Sequence, residues 1–302
     1  MRSGVTEKDS HESGKFEVRP ISFPSAMEVL TKDIIVRCLL PHLPVRTGGR
    51  PLRATPVELV QAILYKLKTG CQWRFLPVKQ FFSAPGLAWQ TVYYHFNQWR
   101  KDGAWKNLWL AVLRGHKRLL DLSSVQLDGS HTPAKNGGAA VGYQGRKKAR
   151  TTTQLLLTDN AGQPLASATP QAGNHHDLFQ IDVLFAELCC LLEAAQIDLK
   201  GLFLNADSAF DASSLRRACA QRDIHPNLAR NPRSTGATDE HYVYFDEELY
   251  RRRTVAEHAN AWLDSFKTLL VRYETTVDNW LAFHWIAFVV LLLRRSTRLA
   301  TS

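Results

Sequence analysis

A chain of 302 residues that is 45% hydrophobic can bury a sizeable core, which excludes a disordered or fibrous class and suits one large domain with a smaller one, or two of similar size. Lys and Arg number 38 against 28 Asp and Glu, a formal charge of +10, so the expected partner is a polyanion, nucleic acid first, although a merely basic soluble protein would carry the same balance. Five cysteines with no CxxC spacing exclude a disulfide framework and a zinc ribbon, and they fit a reducing cytoplasm.

Residues 1–24 are polar and lack the apolar stretch of a secretory signal, so they read as a flexible leader. Residues 25–120 read as helices between Pro and Gly breaks: one near 25–40, one opening at Thr55, Pro56 and Glu58 and closing near Gly70, and one through WQTVYYHFNQWRKDG. Basic and aromatic residues alternate here as a helical DNA-contact surface requires. Trp73, Trp89, Tyr93, Phe96, Trp99 and Trp105 are expected in the core, while Arg50, Arg53 and Arg74 are candidates for phosphate contact.

From residue 121 the texture turns strand-like: SSVQLD, TTTQLLLTD and PLASATPQAG, then the helix DLFQIDVLFAELCCLLEAAQ from 177, the strand GLFLNAD, a helix at SSLRRACAQ and a short strand IHPNLA. That order predicts an α/β domain over 121–302 with a mixed sheet flanked by helices. The Gly- and Lys-rich loop between the first two strands, with Arg146, Lys147, Lys148 and Arg150, is either a solvated hairpin or a hold on a DNA backbone. Residues 229–253 read as a long loop without regular structure at its centre. The run WLAFHWIAFVVLLLRR has fewer than the ~20 apolar residues of a bilayer span and reads as a buried final helix, so no membrane is expected.

Two strands end in aspartate, Asp128 and Asp207. If the first and fourth strands are adjacent and parallel, these carboxylates lie together at one sheet edge and require a metal, a shared proton or a basic neighbour. Asp207 alone could equally cap the following helix. A third acid comes from YRRRTVAEHANAWLDSFKTLL: at about 100° per residue, Tyr250, Arg253 and Glu257 share a helix face that Asn260 and Asp264 continue, with Trp262, Phe266 and Leu269 on the packed side.

The segments LDGSHTPAKNGG, GNHHD, LNADSAFD and RRRTVAEHANAWLDSFKTL resemble the DDE domain of bacterial insertion-sequence transposases, particularly the group named after insertion sequence 5. LYKLKTGCQWRFLP and WQTVYYHFNQWRKDGAW are similar to the helical module preceding it, so the resemblance spans roughly residues 25–290. It implies an RNase H-like catalytic domain behind an N-terminal DNA-binding module. It further implies Mg²⁺, two ions that Mn²⁺ can replace, on Asp128, Asp207 and Glu257, which are then both catalytic and metal-binding. The family's Tyr, Arg and Glu spacing is matched by Tyr250, Arg253 and Glu257; its lysine position holds Asp264, with Lys267 the nearest cation. On this reading Arg53, Arg74, Arg146, Lys147, Lys148, Tyr250, Arg253, Asn260 and Lys267 contact DNA. The implied partners are terminal inverted repeats, target DNA and further protomers, in a bacterial, nucleoid-associated cytoplasmic setting. An element-derived binding protein without catalysis, and a metal nuclease that cuts without joining, are the competing functions.

Overall fold

The structure, a computed structural model, describes residues 29–44, 53–231 and 245–301. The expected leader, Arg50 and the centre of the 229–253 loop lie outside these residues.

The first helical segment, Lys32–Ile34 (α1), continues as a wide turn over Ile35–Leu39 and a tight one over Leu40–His42. Helix α2, Pro56–Thr69, begins and ends as its sequence dictates. Thr55 accepts from the Glu58 N–H while Glu58 reaches back to the Thr55 N–H, and Gly70 at φ 68° closes it. Helices α3 (Val78–Phe81), α4 (Trp89–Lys101) and α5 (Ala104–Gly115) follow. As expected, Phe96, Trp99 and Trp105 are buried, and Trp73, Trp89 and Tyr93 are partly so.

The sheet comprises β1 (Val125–Pro133), β2 (Gly142–Gln144), β3 (Ala149–Asp159), β4 (Pro164–Ser167), β5 (Gln171–Ala172), β6 (Phe203–Ala206) and β7 (His225–Leu228). Its path runs β2-β3-β1-β6-β7, with β4 and β5 also on β3. The β1–β3 and β3–β4 ladders are antiparallel, whereas β1–β6 and β6–β7 are parallel, so the expected mixed sheet is observed, with the first and fourth long strands adjacent. Helices α6 (Ile181–Ala194) and α7 (Ser213–Ala220) are the crossovers of the parallel part. The sequence places the start of α6 at 177; it begins at 181 because Gln180 sits at φ 51°, which leaves 177–180 as a turn.

The last segment departs further from the sequence expectation. The single amphipathic helix expected from Tyr250 onward is broken into α8 (Glu247–Arg251), a tight turn at Arg252–Thr254, α9 (Val255–Asp264) and α10 (Lys267–Leu270). Phe266 is extended (φ −91°, ψ 104°), so the 100° phase does not carry past Asp264. Phe266 and Leu269 are buried as expected, but Trp262 is 42% exposed and Ala256, Ala259 and Leu263 form the packed side of α9. Lys267 consequently begins a different helix, its backbone against Gly70 of the N-terminal helices.

Helix α11, Val277–Thr301, is apolar and long enough to cross a membrane by length and composition, yet 72% of its most apolar stretch is buried within the protein. It packs as a core helix against the N-terminal helices. Phe283 stacks on Phe96 (4.6 Å between ring centres), Trp109 meets Phe288 edge-on at 5.4 Å, and Arg100 pairs with Asp278 at 2.9 Å. The Trp109 Nε1–H donates to the Leu165 carbonyl of β4 at 3.0 Å, so one hydrophobic core runs from the N-terminal helices through α11 to the sheet.

Candidate active site

Asp128 follows Leu127 on β1, Asp207 follows Ala206 on β6, and Leu127 pairs with Ala206 in the parallel ladder. The two aspartates are therefore the next positions of adjacent strands, about one strand spacing of 4.8 Å apart. Leu204 and Ala206 are fully buried on β6, which fixes its register. Asp207 is exposed and its side chain caps nothing: its carbonyl accepts from the Phe210 N–H at 2.8 Å to start a tight turn at Ser208–Phe210, but its carboxylate accepts from no backbone N–H, and Oδ1 accepts from the Ser208 hydroxyl at 3.1 Å. The capping alternative is thereby removed.

Asp128 is only partly exposed, and its Oδ2 accepts from the Asn260 amide at 2.7 Å. Burial raises its carboxyl above the ordinary range, and the charges of Asp177 and Asp207 raise it further, while the Asn260 and Gly129 N–H bonds pull it back. Asn260 thus spends its amide on the carboxylate and ties α9 to β1. Glu257 lies three residues earlier on α9, exposed and on the same helix face. Among the described residues no three His, Cys, Asp or Glu side chains form a metal-sized group, so Glu257 does not close a three-acid cluster with the two aspartates in this arrangement.

Buried asparagines position the remaining motif residues. Asn205 donates to the Leu249 carbonyl, and Asn227 donates to Asn205 Oδ1 and to the Asp246 carbonyl, each at 2.8 Å, which clamps α8 against the ends of β6 and β7. From there Arg253 reaches within 3.9 Å of Asp207 Oδ2, its guanidinium 5.3 Å from the Tyr250 ring centre.

Asp177 was not anticipated as a site residue, although GNHHD was among the motifs. It sits in the turn before α6, so close to β1 that a Cβ on Gly129 would lie 2.7 Å from its Oδ1. That oxygen is buried without a hydrogen-bond partner, with His131 Nε2 at 3.8 Å. Burial lowers the His131 imidazole, and Asp177 opposes that shift. An orphaned carboxylate oxygen packed against β1 near Asp128 is a hard-oxygen donor of the kind a divalent cation takes, although the three aspartates do not form a metal-sized cluster in this arrangement.

The expected basic residues divide. Arg146 and Lys148 are exposed on the Gly145–Lys148 turn of the β2–β3 hairpin, as are Arg74 and Lys267 elsewhere. Lys147 donates to the His131 carbonyl at 2.8 Å, and Arg53 donates to the Pro85 carbonyl at 2.8 Å, so both also brace loops. Burial raises the Asp264 carboxyl, and Lys147 and Lys267 pull it down.

Residues 117–292 match the family model described as the transposase DDE domain, and residues 35–109 match the model of IS4/5-family transposases. The chain is a DDE transposase of the IS4/5 family. As such it is an enzyme of DNA transposition whose chemistry depends on divalent metal. No curated protein matches the transposase in sequence. Among solved structures it is similar to the Mos1 transposase paired-end complex with left transposon end, at 13% identity over 82% of both chains and a TM-score of 0.27. It is also similar to a Mos1 mariner paired-end complex with Mn, at 16% identity over 82% of this chain and 80% of that one, with a TM-score of 0.27. Likenesses that weak add nothing to the family assignment.

Proposed function

We propose that this transposase belongs to the insertion sequence 5 group and carries out Mg²⁺-dependent nicking and strand transfer at terminal inverted repeats, with Asp128, Asp207 and Glu257 as the catalytic, metal-holding acids. The observation that supports this most is the register of β1 and β6, which brings Asp128 and Asp207 to neighbouring positions on one sheet edge. Two bound divalent ions would supply activation of a water or 3′-hydroxyl and stabilisation of the leaving oxygen; Mn²⁺ would substitute for Mg²⁺ on the same oxygen ligands. Asn260 orients Asp128, and Arg253 holds positive charge beside Asp207.

Residues 25–120 act as the DNA-binding module and 121–302 as the catalytic domain. Arg53, Arg74, Arg146, Lys147, Lys148, Tyr250, Arg253 and Lys267 face DNA, in a complex of at least two protomers at the bacterial nucleoid. The test uses a supercoiled plasmid carrying the inverted repeats that flank the gene, with Mg²⁺ or Mn²⁺. Asp128→Ala, Asp207→Ala and Glu257→Ala should each abolish nicking and strand transfer while binding to the ends persists, because phosphate attraction and hydrolysis use different residues. Nicking retained by any one variant removes that residue from the set, and cutting without joined products in the wild type reduces the protein to a nuclease.

A further inference from the structure

The hairpin joining β2 to β3 carries a side chain that neither the core nor the acidic site uses. Tyr143 is 60% exposed, and the cations Arg146, Lys147, Lys148 and Arg150 follow it with no acid between them. Single exposed rings are ordinary on protein surfaces. Tyr143 differs in being set among cations on a backbone that is tied down. Lys147 donates to the His131 carbonyl at 2.8 Å, the Arg146 N–H to Gln144 Oε1 at 3.0 Å, and the Ala134 N–H to the Arg150 carbonyl at 2.9 Å.

Strand register decides which way the ring faces. Tyr143 pairs with Arg150, and Asp128 pairs with Leu156. Directly paired residues share a face and faces alternate along a strand, so the even step from Arg150 to Leu156 returns to the same side. Tyr143 and Arg150 therefore stand on the sheet face that carries Asp128. Contacts agree: Asp128 meets Asn260 of α9, and Thr152, lying between the two pairs on β3, accepts from Arg272 just after α10. The opposite face is closed at this end, where a Cβ on Gly142 would run into the Asn174 side chain. At ~3.3 Å per residue the ring lies ~20 Å along the strands from Asp128, about six base steps of ~3.4 Å.

We infer that Tyr143 is a wedge that enters the minor groove of the DNA substrate and parts one base step about six steps from the bond that is cut, with Arg146 and Arg150 on the flanking phosphates. The inference rests on DNA being the substrate of the acidic site. A ring between parted bases recovers part of the lost stacking, and cations beside it hold the bent backbone. The cost of parting a step depends on its sequence: pyrimidine–purine steps such as TpA yield easily, whereas A-tracts are stiff. Tyr143 thereby selects deformable DNA without a hydrogen bond to any base.

The experiment measures binding of the full chain, by fluorescence anisotropy, to two labelled duplexes of equal length and base composition, one of repeated TpA steps and one of A-tracts. The wild type should favour the TpA duplex by roughly fivefold or more, the lower end of base–aromatic stacking, and should raise the fluorescence of 2-aminopurine placed in it as the step opens. Tyr143→Ala should erase the preference and the fluorescence rise while leaving affinity for the A-tract duplex and the thermal midpoint unchanged. Tyr143→Phe, which keeps the ring, should retain both signals, and Arg150→Ala should weaken binding to the two duplexes alike. Equal binding of both duplexes by the wild type overturns the inference and leaves the transposase function standing, as does a preference that survives in Tyr143→Ala. Failure to bind either duplex would refute DNA as the substrate and take the inference with it.

Discussion

Asn260 gives a sharp test of how the site is organised. Its amide donates to Asp128 Oδ2 at 2.7 Å, and it is the described side-chain link between α9 and β1 at the carboxylate pair. A hydrogen bond to a carboxylate contributes about 1.5–3 kcal/mol, and Asp128 is too enclosed for water to replace the lost donor freely. In a chain of this size each kcal/mol moves the thermal midpoint by about 2 °C, so Asn260→Ala should lower it by about 3–6 °C in chelator-treated protein. Adding Mg²⁺ or Mn²⁺ should recover part of that loss, because a cation at Asp128 supplies the charge that the amide only partly offsets. The decisive form is a double-mutant cycle with Asp128→Ala, scored by chemical denaturation. Coupling of at least about 1 kcal/mol is expected, since the second substitution removes the acceptor that the first leaves stranded. Additivity within about 0.5 kcal/mol would refute a direct bond, and nicking at wild-type rate by Asn260→Ala would refute its positioning of Asp128.

Asp177→Asn should leave the midpoint unchanged or slightly raised without metal, because repulsion at Asp128 is relieved, and should weaken Mn²⁺ binding measured by calorimetry; undiminished Mn²⁺ binding would separate Asp177 from the metal site. His284 is wholly buried and its imidazole is pushed down to about 4, so it stays neutral in the fold while the unfolded chain takes up a proton near 6.5. Stability from this group is therefore present above pH 6.5 and lost as pH falls toward 4, by about 3 kcal/mol, and His284→Phe should flatten that part of the stability profile against pH; an unchanged profile contradicts it. Lys147→Ala with Lys148→Ala should reduce the slope of log binding constant against log salt by about two on random and terminal DNA alike, and an unaltered slope would leave the hairpin outside the DNA contact.

The carboxylate pair was legible because strand burial and parallel pairing are written locally: VQLD and LFLNAD each end an apolar run at the point where the side chain leaves the core. The α2 boundaries were legible for the same reason, a Thr-Pro-x-Glu start and a glycine stop. Asp177 was not, because its closeness to Asp128 depends on Gly129 lacking a side chain and on a left-handed Gln180 that delays α6, and neither leaves a periodic trace. The helix after Tyr250 was misread where 3.6-residue periodicity was extended across Phe266, whose extended backbone belongs to tertiary packing. Asn260 carries no sign in the sequence that its partner lies 132 positions earlier.

The core shared by α4, α5 and α11 has a consequence for how the protein is made. Phe96 and Trp109 find Phe283 and Phe288 only after nearly the whole chain has been synthesised. Domains usually fold as they emerge from the ribosome, amino end first. Here the amino-terminal helices must wait with the aromatic faces that α11 covers left open, so their packing is completed only with the carboxyl-terminal part of the chain. A chain truncated before residue 277 would lack both aromatic contacts, so its amino-terminal helices should not hold a stable fold.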